Sequence, residues 1–399
     1  MSPQRPAVAG RFVLLGANPT IDRVRIFYLV HDLVDAAVAR RVAMLREAGA
    51  EVTVAGFCRA DIAPAWIAGA RAYNLGRSVQ GRLGRRAMLS LWRALSLGAW
   101  SAAARNADLI LARNLECVVI GAALQRRRAR HAALVYELLD VHRTLLGSGQ
   151  ASQILRAVND RLLRRCAAVI VSSPAFEREY LDRFHPGHAP ALLWENRVYG
   201  VNPETAPSSH QGPPWRIGWF GAIRCRKSLQ TLAAVVRNNP GLLEVDIRGR
   251  LADTDLGDVD AILRETPGLR YLGPYRYPHD LPEIYGRVHF TWAIDFFEAG
   301  LNSNWLLPNR LYEGGAMGVV PIALDGVETA RWIQSRGIGV TLHGDLDEAL
   351  ERMLRAMTVD RYEALRGALA ATPRSDFVAC PDDAASMLAA LASTCRPVQ

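Results

Sequence analysis

Short apolar runs alternate with amphipathic stretches along the first half of the chain. The run at residues 24–30 is followed by residues 36–48, where Val38, Val42 and Leu45 recur at helical spacing before Gly49, a residue typical of helix ends. Further apolar runs, separated by arginine-rich helical stretches, predict buried strands at residues 52–57, 109–112, 133–139 and 167–171. Strands that alternate with helices favour parallel βαβ units and a doubly wound α/β sheet.

A segment rich in Pro, Ser and Gly, residues 199–215, interrupts this pattern and is interpreted as a linker. The pattern then restarts with a strand at 216–220, a loop at 221–228 and a helix at 229–238. Later strands are predicted at 245–248, 270–272, 288–294, 319–323 and 339–342, and a helix at 381–391. We therefore predict two Rossmann-like α/β domains with a cleft between them. Their expected bounds are residues 1–198 and 216–380, with the linker at 199–215 and a C-terminal helix and tail at 381–399.

Composition excludes several other classes of protein. The 399 residues are 50% hydrophobic and 22% charged, which is typical of a globular chain with room for two cores. No apolar run reaches the ~18 residues that a membrane span needs, and the first residues lack the cleavage site of a secretory signal. The six cysteines are scattered, which favours reduced thiols and a cytoplasmic protein over a disulfide framework.

Charge is distributed unevenly between the halves. Residues 1–200 carry 28 arginines against 15 acidic residues, whereas residues 201–399 carry 20 basic and 24 acidic residues. Such asymmetry predicts that the first half faces something anionic, either a membrane surface or nucleic acid. Of the 48 basic residues, Lys227 is the only lysine, so its position is informative.

Polar residues follow several predicted strands, where α/β proteins bind ligands. His31 and Asp32 follow the first strand, and Asp140, His142 and Arg143 follow the strand at 133–139.

In the second half, a strand leads into Gly221 and then three cations before a helix. These cations are Arg224, Arg226 and Lys227. This pattern is typical of a phosphate site, in which backbone N–H groups and cations face the anion. The alternative is a solvated basic turn.

The block PNRLYEGGAMGVVP at residues 308–321 decides between these alternatives. It resembles the nucleotide-sugar-binding motif of GT-B glycosyltransferases of the retaining family 4 type, in particular the bacterial exopolysaccharide (succinoglycan-type) transferases. The spacing of Gly221 and Lys227 is similar to the phosphate loop of that family, so the single lysine lies at the diphosphate-contacting position. The resemblance implies a GT-B fold and hexose transfer, with retention, from a nucleotide sugar that is UDP-linked by group precedent.

The resemblance also implies the donor site. Glu313 is expected to bind the ribose hydroxyls, since a carboxylate accepts from two vicinal OH groups, and Gly314 to allow close approach of the nucleotide. The full expected set is Gly221, Arg226, Lys227, Asp295, Asn304, Asn309, Arg310, Glu313 and Gly314.

Two positions depart from the family pattern. Trp305 stands eight residues before Glu313, where many relatives have a first glutamate. Ala222 stands where the family has an arginine, so Arg224 or Arg226 must supply the second phosphate contact. Candidates for the missing acid are Asp295, Glu298, Asn302 and Asn304.

In the N-terminal half the resemblance implies that Asp140 and His142 lie at the reaction centre, with Lys227 and Arg224 as the other catalytic groups. Asp140 could instead cap a turn against which His142 packs. His31 and Asp32 are placed on the acceptor side, although a loop hydrogen bond would explain them equally well. Residues 195–196 match the family's hinge, where a structural role is expected.

The basic, apolar stretch at residues 71–100 predicts an interfacial membrane helix, because arginines interleave with large apolar residues. The arginines are Arg77, Arg82, Arg85, Arg86 and Arg93, and the apolar residues are Met88, Leu89, Leu91, Trp92, Leu95, Leu97 and Trp100. A second basic cluster follows at residues 125–130, and a solvated face is the alternative. Family acceptors are commonly polyprenyl-diphosphate-linked sugars. The resemblance therefore implies a lipid-linked acceptor and a peripheral location on the inner face of a bacterial plasma membrane.

Three other functions are consistent with parts of the sequence. A nucleic-acid-binding protein would explain the basic charge but not the block at 308–321 or the phosphate loop, so no nucleic-acid partner is expected. A transferase-like scaffold is favoured by the missing first glutamate. A sugar-nucleotide epimerase or an inverting transferase is the enzymatic alternative. No cofactor or metal is expected. Asp253 and Asp255 form an Asp-x-Asp triplet, a pattern that can hold a nucleotide-bound divalent ion, but this triplet lies in a polar run before a helix and is discounted.

Overall fold

The computed structural model describes residues 23–77, 83–201, 212–251 and 256–395, with side chains omitted for 83–87. The first half folds around an eight-stranded sheet of order β3-β4-β2-β1-β5-β6-β7-β8, parallel except where β3 pairs with β4. Its strands are β1 (Arg25–Val30), β2 (Glu51–Cys58), β3 (Trp66–Ile67), β4 (Ala70–Arg77), β5 (Leu109–Arg113), β6 (Ala133–Leu138), β7 (Ala168–Val171) and β8 (Ala191–Leu193).

Helices cover both faces of this sheet, so its central strands are buried and mostly apolar. They are α1 (Ala36–Glu47), α2 (Leu83–Leu95), α3 (Asn114–Arg127), α4 (Arg143–Leu146), α5 (Gln150–Leu163) and α6 (Asp182–Phe184). The predicted first helix is confirmed. Asp35 accepts a hydrogen bond from the Ala37 backbone N–H at its start, and Gly49 adopts a φ of 101° just after its end.

The second half forms a parallel six-stranded sheet of order β11-β10-β9-β12-β13-β14. Its strands are β9 (Trp215–Ile223), β10 (Leu243–Leu251), β11 (Leu269–Tyr271), β12 (Phe290–Trp292), β13 (Val320–Leu324) and β14 (Val340–Leu342). Its helices are α7 (Arg226–Asn238), α8 (Val259–Arg264), α9 (Leu281–Tyr285), α10 (Asn309–Ala316), α11 (Glu328–Gln334), α12 (Leu346–Arg355) and α13 (Val359–Ala371). The prediction of an α/β protein with two such sheets is confirmed.

Two predicted elements are wrong. The loop at 221–228 is only Arg224 and Cys225, because β9 continues through Gly221 to Ile223 and α7 begins at Arg226. The stretch at 71–100 is not one helix. Its first part is strand β4, which pairs with β2, and α2 covers only Leu83–Leu95.

The chain passes between the halves twice. The predicted C-terminal helix is confirmed as α14 (Pro381–Ser393), and its Met387 and Leu391 are buried against residues of β1 and β2. Arg197, before the predicted linker, pairs with Asp383 of α14 at 2.9 Å. Glu195 accepts a hydrogen bond from Trp332 Nε1 at 2.9 Å, a contact that suits the structural role expected of 195–196.

Candidate active site

Loops that follow strands of the two sheets meet at one cleft. The Val141 backbone N–H, after β6, donates to Asn302 Oδ1, after β12, at 3.1 Å. Ser173 Oγ, after β7, donates to the Trp305 carbonyl at 2.5 Å. The carboxyl ends of both sheets therefore line the same space, where open α/β sheets bind ligands.

Two carboxylates from different domains lie near each other in this cleft. Asp140 follows β6 and is exposed, whereas Glu298 is half-buried in the loop after β12. The Arg143 backbone N–H donates to the Glu298 carboxylate. Burial and then the charge of Asp140 raise the pKa of Glu298, although Arg224 opposes the shift. Among the candidates for the missing acid, Glu298 is thus a carboxylate that faces the N-terminal domain.

His142 caps α4 at the same edge. Its Nδ1 accepts a hydrogen bond from the Thr144 backbone N–H at 3.2 Å and lies 2.9 Å from Thr144 Oγ1. Since Nδ1 is an acceptor, the neutral ring carries its proton on Nε2. His142 is therefore the residue that caps α4.

Asp295 holds two arginines at the edge of the second sheet. It lies 3.1 Å from Arg224 Nη2 and 4.0 Å from Arg310 Nη2, and it accepts a hydrogen bond from Ser303 Oγ at 2.9 Å. Burial on its own would raise the pKa of Asp295, but Arg224 and Arg310 outweigh it, so the pKa lies below its usual value. Asp295 therefore positions the cations.

Arg310 is the second residue of α10 and more than nine-tenths buried. Its Nη2 donates to the Ile294 carbonyl at 2.7 Å. Its Nε–H is buried and has no hydrogen-bond partner among the described residues. Such an unmet donor in a guanidinium beside a helix N-terminus suits an anion.

Lys227 lies in the first turn of α7, with Nζ 4.6 Å from the centre of the Phe296 ring. Gly221 has a φ of 109° and lies on β9 opposite Gly249 of β10. A Cβ on Gly249 would stand 1.8 Å from the Gly221 carbonyl oxygen, so the two strands approach closely here. Arg226 is exposed at the start of α7. A cavity of about 600 Å³ opens beside Lys227, and it is lined by Gln230, Arg237, Phe296, Leu324 and Asp345 among others.

Glu313 lies in the second turn of α10 and is 4% exposed. Its carboxylate accepts a hydrogen bond from Tyr285 Oη at 3.1 Å and another from the hydroxyl of Tyr275. Burial raises the pKa of Glu313, and Arg40 of the N-terminal domain is the strongest opposing charge. Two tyrosines use two of the about four acceptor positions of a carboxylate.

The remaining predicted donor residues have different surroundings. Asn309 is exposed at the first position of α10. Asn304 Oδ1 accepts a hydrogen bond from the Gly300 backbone N–H at 2.9 Å within its own loop. Gly314 is buried, and a Cβ there would lie 2.6 Å from Thr291 Cγ2 of β12. Its lack of a side chain is explained by packing of α10 on β12.

His31 and Asp32 follow β1 in the first sheet. Asp32 is buried and accepts from the backbone N–H of Arg59 at 3.3 Å, a geometry that fits the loop-holding alternative. His31 Nε2 lies 3.6 Å from Asp35 Oδ2. Burial lowers the pKa of His31, and Asp35 only partly offsets it. Of the pair, Asp32 thus holds its own loop, and His31 faces Asp35, the N-cap of α1.

A buried ionic cluster in the first domain was not predicted. Glu137 of β6 is fully buried and accepts from Arg113 Nε at 2.8 Å, from Arg41 Nε at 2.9 Å and from Tyr28 Oη. Arg113 lies 3.6 Å from Asp35, the residue that also faces His31. The only signal in the sequence was a glutamate inside an apolar strand.

Helix α2 exposes one apolar face. Met88, Leu91, Trp92 and Leu95 are 67%, 55%, 51% and 65% exposed. Trp100, predicted with them, is instead buried and stacks on Phe27. Arg127, at the end of α3, donates to the Leu95 carbonyl at 2.9 Å, so the basic end of α3 lies beside this face.

Within residues 23–77, 83–201, 212–251 and 256–395, no three His, Cys, Asp or Glu side chains form a cluster suited to a metal ion. No helix in these ranges is long and apolar enough to cross a membrane. The triplet of Asp253 and Asp255 lies outside the described residues, as do most of the predicted linker and Arg82.

Comparison with known proteins identifies the family. Residues 34–192 match the model of the glycosyl transferase 4-like domain. Succinoglycan biosynthesis protein ExoL of Rhizobium meliloti is 40% identical over 346 residues, 85% of this chain and 86% of ExoL. The chain belongs to the glycosyl transferase 4-like family. The resemblance of this glycosyltransferase to the bacterial succinoglycan-type transferases is thereby confirmed.

Solved structures confirm the fold of the glycosyltransferase as GT-B. HepE from Anabaena, in complex with UDP and glucose, superposes with a TM-score of 0.68 over 93% of this chain and 100% of HepE, at 16% identity. Sucrose-phosphate synthase from Thermosynechococcus elongatus superposes with a TM-score of 0.65 over 94% and 96% of the two chains, at 14% identity.

Proposed function

We propose that this glycosyltransferase moves a hexose from a UDP-linked sugar to a lipid-linked oligosaccharide in the synthesis of an exopolysaccharide. The observation that carries the donor half is the unmet, buried Nε–H of Arg310 at the N-terminus of α10, with Arg224 beside it. This arrangement suits the diphosphate of a nucleotide sugar. The complex of HepE with UDP and the role of ExoL in succinoglycan biosynthesis support the choice of donor and pathway.

The donor lies, in this proposal, across the carboxyl edge of the second sheet. Arg224, Arg310 and Lys227 bind the diphosphate, and Glu313 accepts from the ribose hydroxyls. Asp295 keeps both arginines in place, because it pairs with Arg224 at 3.1 Å. Fixed cations that face developing negative charge stabilise a departing nucleoside diphosphate, so no metal is needed for this step.

The acceptor hydroxyl is the nucleophile. Family precedent gives retention, with attack on the face that the diphosphate leaves and a phosphate oxygen that takes the proton. Asp140, His142 and Glu298 surround the sugar at the domain interface. The anomeric configuration of the product, measured by NMR, tests retention, and inversion would assign the chain to the alternative class.

The exposed face of α2 is the proposed membrane contact. It presents four large apolar side chains next to the basic end of α3, the composition of an interfacial helix. Each side chain that is fully buried in lipid contributes about 1.5–3 kcal/mol. An anionic inner leaflet adds attraction to the basic residues. The same contact brings a lipid-linked acceptor to the cleft.

The test is calorimetric titration of the protein with UDP, GDP, UDP-glucose, UDP-galactose, UDP-glucuronate and GDP-mannose. UDP and one UDP-hexose are expected to bind, and Lys227→Ala and Glu313→Ala to weaken both. Arg264→Ala, which changes an exposed cation at the end of α8 outside that cavity, is the matched control. Binding of no nucleotide, in the presence of a lipid-diphosphate acceptor mimic, would overturn the proposal in favour of the scaffold.

A further inference from the structure

Arg40 reaches from the N-terminal domain to the surroundings of Glu313 in the other domain. It lies on α1 and is 9% exposed. Its Nη1 donates to Tyr277 Oη at 3.3 Å, and its guanidinium lies 5.6 Å from the centre of the Tyr277 ring. Tyr277 belongs to the loop after β11, which also carries Tyr275. A buried cation of one domain is thus held by the loop that contacts Glu313.

The groups that face Glu313 come from four elements. They are Tyr285 of α9, Tyr275 of the loop after β11, Arg310 of α10 and Arg40 of α1. The two tyrosines donate hydrogen bonds, and the two arginines supply positive charge. Arg40 lowers the pKa of Glu313 more than Arg310 does, although Arg310 lies on the same helix as the glutamate.

The position of Arg40 depends on how the two domains are placed. Tyr277 Oη also lies 3.5 Å from the backbone N of Tyr199, in the segment that connects the domains. The Tyr199 hydroxyl in turn donates to Glu47 at the end of α1. Helix α1, the connecting segment and the loop after β11 therefore form one set of contacts, and a change in the angle between the domains would move Arg40 relative to Glu313.

We propose that Arg40 is a positioning residue for donor binding: from the N-terminal domain it holds the loop of Tyr275 and Tyr277 beside Glu313 and presents a positive charge toward the carboxylate that accepts from the ribose hydroxyls. This inference rests on the proposed role of Glu313. A buried carboxylate without a nearby cation takes up a proton, and a carboxylic acid has fewer acceptor positions for a vicinal diol. The N-terminal domain thereby controls nucleotide affinity without touching the nucleotide.

The experiment is titration with UDP between pH 5 and pH 8. Wild type, Arg40→Gln, Arg40→Lys and the control Arg46→Gln are compared, since Arg46 lies exposed on the same helix. Arg40→Gln is expected to lose affinity for UDP at a pH about one unit higher than wild type, so that it binds UDP up to about tenfold more weakly at the acidic end of this range and more nearly like wild type at pH 8. Arg40→Lys keeps the charge and is expected to restore most of the UDP affinity and of the wild-type pH dependence. Arg46→Gln is expected to match wild type.

Glu313→Gln separates an electrostatic role from a structural one. In that background the titrating group is gone, so Arg40→Gln is expected to leave the pH profile unchanged. Wild-type affinity and pH profile in Arg40→Gln would overturn the inference alone. Equal losses of UDP affinity in Arg40→Gln and Arg40→Lys, with no shift of the pH profile, would also overturn it. A shift of the pH profile that Arg40→Gln still causes in the Glu313→Gln background would overturn it as well. If wild type binds neither UDP nor GDP, the proposed function falls, and this inference with it.

Discussion

Replacement of Glu137 by glutamine is expected to destabilise the N-terminal domain strongly. The carboxylate is fully buried among Arg41, Arg113 and Tyr28. Burial on its own would raise the pKa of Glu137, but the two arginines outweigh it and lower the pKa from 4.5 to about 2. A difference of this size corresponds to about 3 kcal/mol of free energy of unfolding, which agrees with the ~3–5 kcal/mol typical of breaking a buried ion pair.

The free energy of unfolding that Glu137 contributes depends on pH. Because the folded-state pKa of Glu137 lies below the unfolded value, its contribution is complete above about pH 4.5 and is lost as the pH falls toward 2. The difference between wild type and Glu137→Gln is therefore expected at pH 7 and should shrink in acid. A loss of about 3 kcal/mol lowers the melting temperature of a domain of this size by roughly 6–12 °C.

Thermal unfolding followed by circular dichroism measures this difference, with Glu51→Gln as the control. Glu51 is exposed at the start of β2, so its replacement should change the free energy of unfolding by less than about 0.5 kcal/mol. A Glu137→Gln protein that melts within 2 °C of wild type at pH 7 would refute the assignment of a stabilising, ionised Glu137.

The remaining predictions concern the surface, the sheet and the cleft. The double variant Trp92→Ser with Leu95→Ser should sediment with anionic vesicles at least about tenfold less than wild type. Ile154→Ser removes an equally exposed apolar residue from α5 and should sediment like wild type. Equal binding of wild type and both variants would contradict the membrane role. Gly249→Ala should lower the free energy of unfolding by more than about 2 kcal/mol in denaturant titrations, because its Cβ would overlap a carbonyl of β9; an unchanged midpoint would contradict the tight pairing. Glu298→Gln should melt at a higher temperature than wild type, and this difference should be larger at pH 8 than at pH 4. The reason is that the pKa of Glu298 is raised in the folded protein, so that its carboxylate loses a stabilising proton as the pH rises. An equal difference at both pH values would contradict burial and the facing Asp140 as the cause of the raised pKa.

Elements set by local apolar pattern could be predicted from the sequence. The first helix, most strands and α14 lie within a few residues of their predicted bounds, because one buried face determines each of them. The apolar face of α2 was also visible, since residues 88, 91, 92 and 95 recur at helical spacing.

Elements set by pairing across the sheet could not be predicted. Gly221 interrupts the apolar pattern and suggests a loop, yet it stays in β9 because it pairs with Gly249 of β10. The arginine-rich residues 71–77 form β4 because β2 offers them a partner. No local pattern in the sequence indicates either strand pairing.

The same limit applies to the site. The cations at 224–227 and Glu313 stand in two short sequence motifs and could be proposed as candidates, whereas Arg40 and Tyr277 are 237 residues apart and meet only across the domain interface. Glu298 could not be chosen among its neighbours until the loop after β12 was seen to face Asp140 and Arg143.

The most direct test of the central claim is sugar transfer itself. Purified protein, UDP-hexose with a labelled sugar and anionic vesicles that carry a polyprenyl-diphosphate-linked saccharide are incubated, and label in the lipid fraction is measured against Lys227→Ala. We predict label in the lipid fraction with wild type and a loss of at least about a hundredfold with Lys227→Ala, the scale of removing one group that stabilises transition-state charge. Tight nucleotide binding without any transfer of label to lipid or to free saccharide would contradict the account.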